Sequence, residues 1–475
     1  MPVNLDKIDL TTGSVVKKVF RLSIPIIISN LMHVFYNITD TAWLGQLSRE
    51  AVAAMAFVFP VLFFVLSIGI GVGVAGSILV AQYEGAGRKK MVNYSAGQAM
   101  VFTVFLSLII SALGYFLGGR LVAFLGAEEK VVVLAESYLK TLFPGIIFMF
   151  TFFVFSALMR SWGNTKTAMK IIVISNIVNI ALDPLLIFGF GIIPAMGMKG
   201  AALATVLSRL LASSIAVYIL FKGKRFITLT KADLKPDLKM LKKLFKLGWP
   251  STVEHMLRSA GFMILTAIVA GFGTVYIAAY GVGVRIFSVF IMPSLAVGMG
   301  VASGVGQNLG AKLTDRAKKL IANAALIVFA ALTVVGIGVY VWGEAIIGVF
   351  LKTGGYETVR AGVECLRIMV LAGPFVGAAI TIRGGFTGAG RTIQSMIIGI
   401  IGLWCIRVPL AYFFSVVSRN PVGIWSALVM GGIADMIISV IYYYKGNWAF
   451  SVIGGGVSEK TADNILLEEE KSFRT

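Results

Sequence analysis

Residues 21–45 read R-L-S-I-P-I-I-I-S-N-L-M-H-V-F-Y-N-I-T-D-T-A-W-L-G. After Arg21 the only acidic or basic side chains in this stretch are Asp40 and His33. A run of about 20 mostly apolar residues crosses the hydrocarbon core of a bilayer as a helix. The stretch therefore predicts a membrane-spanning helix. It is not expected to be a cleaved leader, because the apolar run after Lys17, Lys18 and Arg21 is long and carries no small-residue cleavage site before it ends.

The same signal recurs along the whole chain. Of 475 residues, 58% are hydrophobic and 13% charged, and the mean hydropathy is +0.90. Soluble domains carry about 25% charged residues. Apolar runs predict helices at 18–44, 51–82, 92–118, 131–158, 166–189, 200–222, 240–272, 274–309, 316–342, 356–385, 391–415 and 422–444. Several exceed the bilayer thickness and should tilt or project beyond it. The runs are unbroken rather than alternating every second residue, which argues against a β-barrel. The expected fold class is an all-α integral membrane protein with twelve transmembrane helices.

The net charge of +20 follows the loops. Basic clusters occupy alternate connections: Lys17, Lys18 and Arg21; Arg88, Lys89 and Lys90; Arg160, Lys166 and Lys170; nine residues from Lys222 to Lys246; and Lys312, Arg316, Lys318 and Lys319. The intervening loops carry one or two each. Cytoplasmic loops are enriched in Lys and Arg, so both termini are expected in the cytoplasm of a multi-pass cell-membrane protein. The basic excess is then a topology signal, and no nucleic-acid partner is needed. Cys365 and Cys405 lie in apolar runs and read as ordinary small core residues, not as a disulfide framework or metal site.

The chain also repeats itself at a register close to 225 residues. Pro25 matches Pro250, V-A-Q-Y-E-G-A-G-R-K-K from Val80 matches V-G-Q-N-L-G-A-K from Val305, and Gly200 matches Gly423. Six crossings separate the copies, an even number, so the halves should point the same way. The expected organisation is an N-terminal six-helix lobe at 1–222, a cytoplasmic amphipathic linker at 223–246, a C-terminal lobe at 247–457 and a polar cytoplasmic tail at 458–475. Leu238, Leu241, Leu244 and Phe245 suggest that the linker forms a surface helix.

Ionisable groups inside a bilayer are costly and mark function by default. Helix 1 carries Asn30, His33, Asn37 and Asp40 at spacings of three or four, hence on one face. Helix 5 carries Asn176, Asn179 and Asp183 in the same pattern. Both helices run in the same direction, which puts the two aspartates at similar depth. Pro184 frees the carbonyl four residues earlier and bends its helix. Close carboxylates disfavour a second negative charge and can share a proton near neutrality; hard oxygen ligands serve an alkali cation equally well. The alternative is a buried network that only ties helices together. His33 is either a titrating group or a packing histidine. The second half lacks matching acids, with Leu265 and Val408 at the equivalent positions. It carries Glu254, His255, Arg258, Arg285, Glu364, Arg367, Arg407 and Asp435 instead, for which mutual pairing is the expectation and contact with an anionic ligand the alternative. No G-x-x-x-x-G-K-[ST] loop is present, so no nucleotide drive is encoded in this chain. The glycines near Gly390 follow no strand, and no nucleophile–base constellation occurs. An enzyme is not expected.

These segments together resemble the multidrug and toxin extrusion (MATE) family over nearly the whole length. The resemblance is carried by residues 21–45, by V-A-Q-Y-E-G-A-G-R-K-K from Val80, by A-L-M-R-S-W-G-N-T-K from Ala157, by N-I-V-N-I-A-L-D-P-L-L-I-F-G from Asn176, and by G-M-K-G-A-A-L-A-T from Gly197. It implies two pseudo-symmetric six-helix lobes around a central cleft. It also implies alternating-access export of amphipathic, often cationic, drugs or metabolites against H⁺ or Na⁺. Similarity to the prokaryotic DinF branch places ion or Na⁺ coupling on Asp40, Asn179, Asp183 and Thr205, with Tyr36 and Tyr138 nearby; Asn37, Asn176, Pro184 and His33 would line or support the cleft. Acids deeper in helices 7 and 10, typical of the NorM branch, are absent: Arg258 stands at the first position and Glu364 does not match the second. No resident cofactor is expected, only the transported ion, small-molecule substrates and the lipid bilayer, with the chain acting as a monomer. A flippase for lipid-linked saccharides and a major-facilitator transporter are the competing transport readings, and a purely structural membrane protein is the non-transport one.

Overall fold

The computed structural model describes residues 7–223, 227–351, 355–417, 419 and 421–453. The tail at 458–475, and Lys224 and Arg225 of the linker, lie outside them. Among the described residues, twelve helices are long and apolar enough to cross a membrane. They are α1 (Val15–Leu47), α2 (Arg49–Gly85), α3 (Lys89–Phe124), α4 (Glu129–Trp162), α5 (Lys166–Phe188), α6 (Met198–Lys222), α7 (Leu238–Ala270), α8 (Thr274–Gly310), α9 (Thr314–Val341), α10 (Gly355–Gly388), α11 (Thr392–Ser415) and α12 (Val422–Lys445). The repeat reappears in helix length: α1 and α7 have 33 residues each, α2 and α8 have 37 each.

Local chemistry explains most departures from regular helix. Ser48 caps α2 by accepting from the Ala51 N–H, and Gly163, at φ 102°, ends α4 in the left-handed region that glycine enters without strain. Pro144 sits in a single 3₁₀ turn, Phe143–Gly145, that interrupts α4. In α11 the chain winds as a π-helix over Ile401–Arg407 and again over Phe413–Val417. A short helix, Gly343–Phe350, follows α9 and had no counterpart among the expected elements. The linker also differs from expectation. Leu238–Lys246 opens α7 instead of forming a helix of its own, with Leu244 buried and Leu238 and Phe245 exposed.

Contacts divide the chain into two units. One comprises the chain up to Asp9 and Ile24–Thr252; the other comprises Leu10–Ser23 and the chain from Val253 onward. Each unit is secured by hydrogen bonds from side chains to the backbone of other segments. In the first, the Gln98 side chain donates to the carbonyls of Asp233 and Lys235 at 2.9 and 2.7 Å and accepts from the Asp237 N–H at 3.0 Å. In the second, Asn308 donates to the Leu10 carbonyl at 3.1 Å, and Ser23 donates to the Ala296 carbonyl at 3.2 Å.

Small residues let helices approach backbone to backbone, as in membrane bundles generally. In the first unit, a Cβ on Gly71 of α2 would lie 2.7 Å from the Gly248 carbonyl of α7. In the second, Cβ atoms on Gly384 and Gly388 of α10 would lie 2.3 and 2.1 Å from the carbonyls of Gly298 and Ala302 on α8. Large apolar side chains such as Phe63, Phe105, Phe116 and Leu326 are exposed. A surface so apolar suits lipid rather than water.

Candidate functional site

The first unit gathers polar groups from four helices. Asp40 and Tyr36 come from α1, Tyr138 from α4, Asn176, Asn179 and Asp183 from α5, and Thr205 and Arg209 from α6. All are buried, Asp40 at 3% and Asp183 at 0% exposure. The spacing of Asn176, Asn179 and Asp183 puts them on one face of α5, as expected for residues three and four apart. That face is pressed against α6. Ser175 donates to the Ser208 carbonyl at 2.7 Å, and a Cβ on Gly200 would lie 2.2 Å from the Leu186 carbonyl. Gly200 is thus required by close packing, which accounts for its recurrence as Gly423: there a Cβ would lie 2.2 Å from Cβ of Phe414.

Within this cluster the hydrogen bonds cross between helices. Either amide orientation of Asn179 reaches the Asp183 carboxylate, at 3.4 or 3.3 Å. The orientation that satisfies both ends also lets its carbonyl accept from the Thr205 N–H at 3.3 Å. The Tyr36 hydroxyl and the Thr205 hydroxyl are 3.0 Å apart, tying α1 to α6. The Asp40 carboxylate bears electrostatically on Asp183, and both aspartates bear on Tyr138. One carboxylate oxygen of Asp40, Oδ1, is buried without a hydrogen-bond partner. Buried polar atoms are nearly always paired, which makes this oxygen an exception within the cluster.

Two sequence expectations are modified by the geometry, and one residue is added. Asn37 shares the spacing of the stripe but is exposed, because the inward position is taken by Tyr36. His33 is only partly buried, and the charged group that acts on it is Arg209. Arg209 itself was not anticipated. It lies 6% exposed on α6, donates to Asn176 Oδ1 at 3.3 Å and stands over the Tyr36 ring at 5.4 Å. Its signal was present as a lone arginine four residues after Thr205 in an apolar span, and such a residue needs a partner as much as an acid does.

The cluster offers carboxylate, amide and hydroxyl oxygens within one buried patch. Such donors suit a proton or a hard alkali cation. Among the described residues no group of three or more His, Cys, Asp and Glu side chains is placed to hold a metal. Transition-metal chemistry is not what this donor set suggests.

In the second unit, charged residues are also brought together. Arg258 and Arg383 both donate to Glu254 Oε1, at 2.7 and 2.9 Å. Arg383, 6% exposed, escaped the sequence reading. Arg407 and Asp435 influence each other electrostatically. Arg367 instead reaches Glu344 at 3.4 Å, while Arg285 and Glu364 are exposed and stand apart from the cluster. Cys365 is buried as expected, but Cys405 is exposed on the π-wound part of α11.

A family model described as MatE matches residues 25–185 and 250–413. The chain belongs to the MatE family. Both matched stretches of this MatE protein fall on the two sequence repeats. Among curated relatives, "Probable multidrug resistance protein NorM" of Thermotoga maritima is 27% identical over 91% of this chain and 93% of its own length. The "FAD transporter" of Shewanella oneidensis is 26% identical over 92% and 96%. A solved outward-facing MATE transporter of the MOP superfamily is 25% identical, with a TM-score of 0.86 over 92% of this chain and 96% of that one. A MATE structure in a bent conformation, at 23% identity, shares the fold with a TM-score of 0.85 over 98% of both chains. This MatE protein is therefore a membrane transporter of the drug and metabolite exporter class, not an enzyme, and the major-facilitator reading is set aside.

Proposed function

We propose that this MatE protein is a cation-coupled antiporter that exports amphipathic organic compounds, cationic ones included, across the cytoplasmic membrane by alternating access. The observation that carries this reading is the buried pair Asp40 and Asp183 with the unpartnered Asp40 Oδ1. H⁺ or Na⁺ would be held by Asp40, Asn179, Asp183 and Thr205, with Tyr36, Tyr138 and Asn176 shaping the patch. The cargo class is supported by relatives named for multidrug resistance. The Lys and Arg bias of the loops supports cytoplasmic termini, and nothing in the coupling patch requires a second copy of the chain.

The deciding experiment is substrate movement in proteoliposomes under separately imposed proton and sodium gradients. Acceleration by either gradient is expected; transport indifferent to both would overturn the coupling assignment. A second outcome concerns α5. Pro184 withholds a backbone N–H from the Ile180 carbonyl. Pro184→Ala is expected to restore that bond, straighten α5 and lower ion affinity by about tenfold, since small displacements of ligands are costly. Calorimetric ion-binding curves that match the wild type would remove the bend from the account.

A further inference from the structure

The second unit contains a cavity of about 250 Å³ that the coupling patch does not use. We propose that it binds an amphipathic organic anion, whose acidic group sits against Arg383, Arg407 and Arg258 and whose apolar body lies against Phe262, Phe287 and Trp404. The proposal stands independently of the coupling role of Asp40 and Asp183.

Charge balance is the first argument. The cavity is lined by Arg258, Arg383 and Arg407 against Glu254 and Asp435, leaving one positive charge in excess. Glu254 is already committed, with Oε1 accepting from two arginines and Oε2 facing Ser395 at 3.4 Å. The Nε atoms of Arg383 and Arg407 are buried and have no hydrogen-bond partner. Asp435 Oδ1 is likewise unpartnered, and Asp435 makes no ion pair with Arg407. Desolvated guanidinium groups with free donors match carboxylate, phosphate or sulfonate oxygens, which they bind in a forked geometry. The free Asp435 oxygen would accept from a hydroxyl or N–H of the same ligand.

The fold makes room for these charges. A Cβ on Gly399 would lie 2.4 Å from Arg383 Nη1, one on Gly402 would lie 1.9 Å from Asp435 Oδ1, and one on Gly431 would lie 2.8 Å from Arg407 Nε. Arg407 ends the π-wound turn Ile401–Arg407, a distortion found mostly at functional positions. Trp404, in the same turn, is fixed by donating to the Leu257 carbonyl at 3.1 Å. Glycines that accommodate charged side chains, and a helix rewound beside them, describe a built pocket rather than a packing defect. Its volume falls below the roughly 300–1,000 Å³ of pockets for drug-sized ligands, so a compact ligand of about two rings is indicated.

The test uses the full chain in phosphatidylcholine nanodiscs and three probes sharing one ring system: naphthalenesulfonate, naphthylmethanol and naphthylmethylamine. Calorimetry should detect the sulfonate and rank it above the alcohol and the amine. Arg407→Gln should weaken sulfonate binding by about tenfold or more, as for loss of one charge-assisted contact. Arg258→Gln, at the more open side of the cluster, should weaken it in the same direction and decides the matter if the first variant fails to fold in a thermal melt. Equal or tighter binding of the amine, or unchanged sulfonate binding in folded variants, would overturn the proposal. Asp40→Asn should keep sulfonate binding while losing gradient-driven export, which separates failure of this inference from failure of the coupling assignment. Discs containing phosphatidylglycerol distinguish the source of the anion: competition identifies a lipid headgroup, and undiminished sulfonate binding identifies a soluble amphipath.

Discussion

Asp40→Asn is expected to reduce gradient-driven export to background while leaving the protein folded. Asparagine has nearly the shape of aspartate but neither its charge nor its capacity to take up a proton. Asp40 is 3% exposed, and its Oδ1 has no partner to lose, so the substitution should cost little stability. The variant loses instead the charge that interacts with Asp183. An ion drives exchange only through its different affinity for the two conformations; without a charged ligand that difference collapses. Flux into reconstituted vesicles measures this directly. Wild-type rates under either a proton or a sodium gradient would mean that coupling resides elsewhere.

Glu254→Gln should behave in the opposite way, damaging stability but sparing ion binding. Glu254 compensates Arg383 and Arg258 at once, with side-chain exposures of 12%, 8% and 31%. Breaking a buried pair by removing one partner typically costs about 3–5 kcal/mol. The value here should fall toward the lower figure, since Arg258 retains access to its surroundings. A clear drop in the thermal midpoint is therefore expected. Ion-binding calorimetry should remain near wild type, because Asp40, Asn179, Asp183 and Thr205 all belong to the first unit. If folded Glu254→Gln protein loses ion binding as completely as Asp40→Asn, coupling confined to the first unit is refuted.

The twelve spans were readable because a bilayer demands long apolar runs and leaves few alternatives. The span predicted at 166–189 is observed as Lys166–Phe188, and that at 274–309 as Thr274–Gly310. What escaped were features set by tertiary packing. Apolar periodicity does not distinguish an α-helical turn from the π-wound one at Ile401–Arg407. Asp40, Asn179 and Asp183 announced themselves as costly groups in apolar surroundings. Arg209 and Arg383 carry the same signal, but only the neighbouring helices show that their side chains are buried. Asn37 shows the complementary error. Spacing assigns a residue to a face of a helix, but only neighbouring helices determine how much of that face is covered.

The glycine seams of the second unit are stiff. Where Gly384 and Gly388 meet α8, main chain rests on main chain with no side chain to deform, whereas the Thr252 side chain also closes the approach of Gly71 to Gly248. Such contacts resist compression, because interiors packed at this density transmit strain rather than absorb it. α11 differs: it carries a π-wound stretch whose backbone bonds are out of regular register. Mechanical load applied to the second unit should thus concentrate in α11 while the seams act as keels. The proposed anion contact Arg407 lies on this helix, so occupancy there would be felt first as a change in local elasticity.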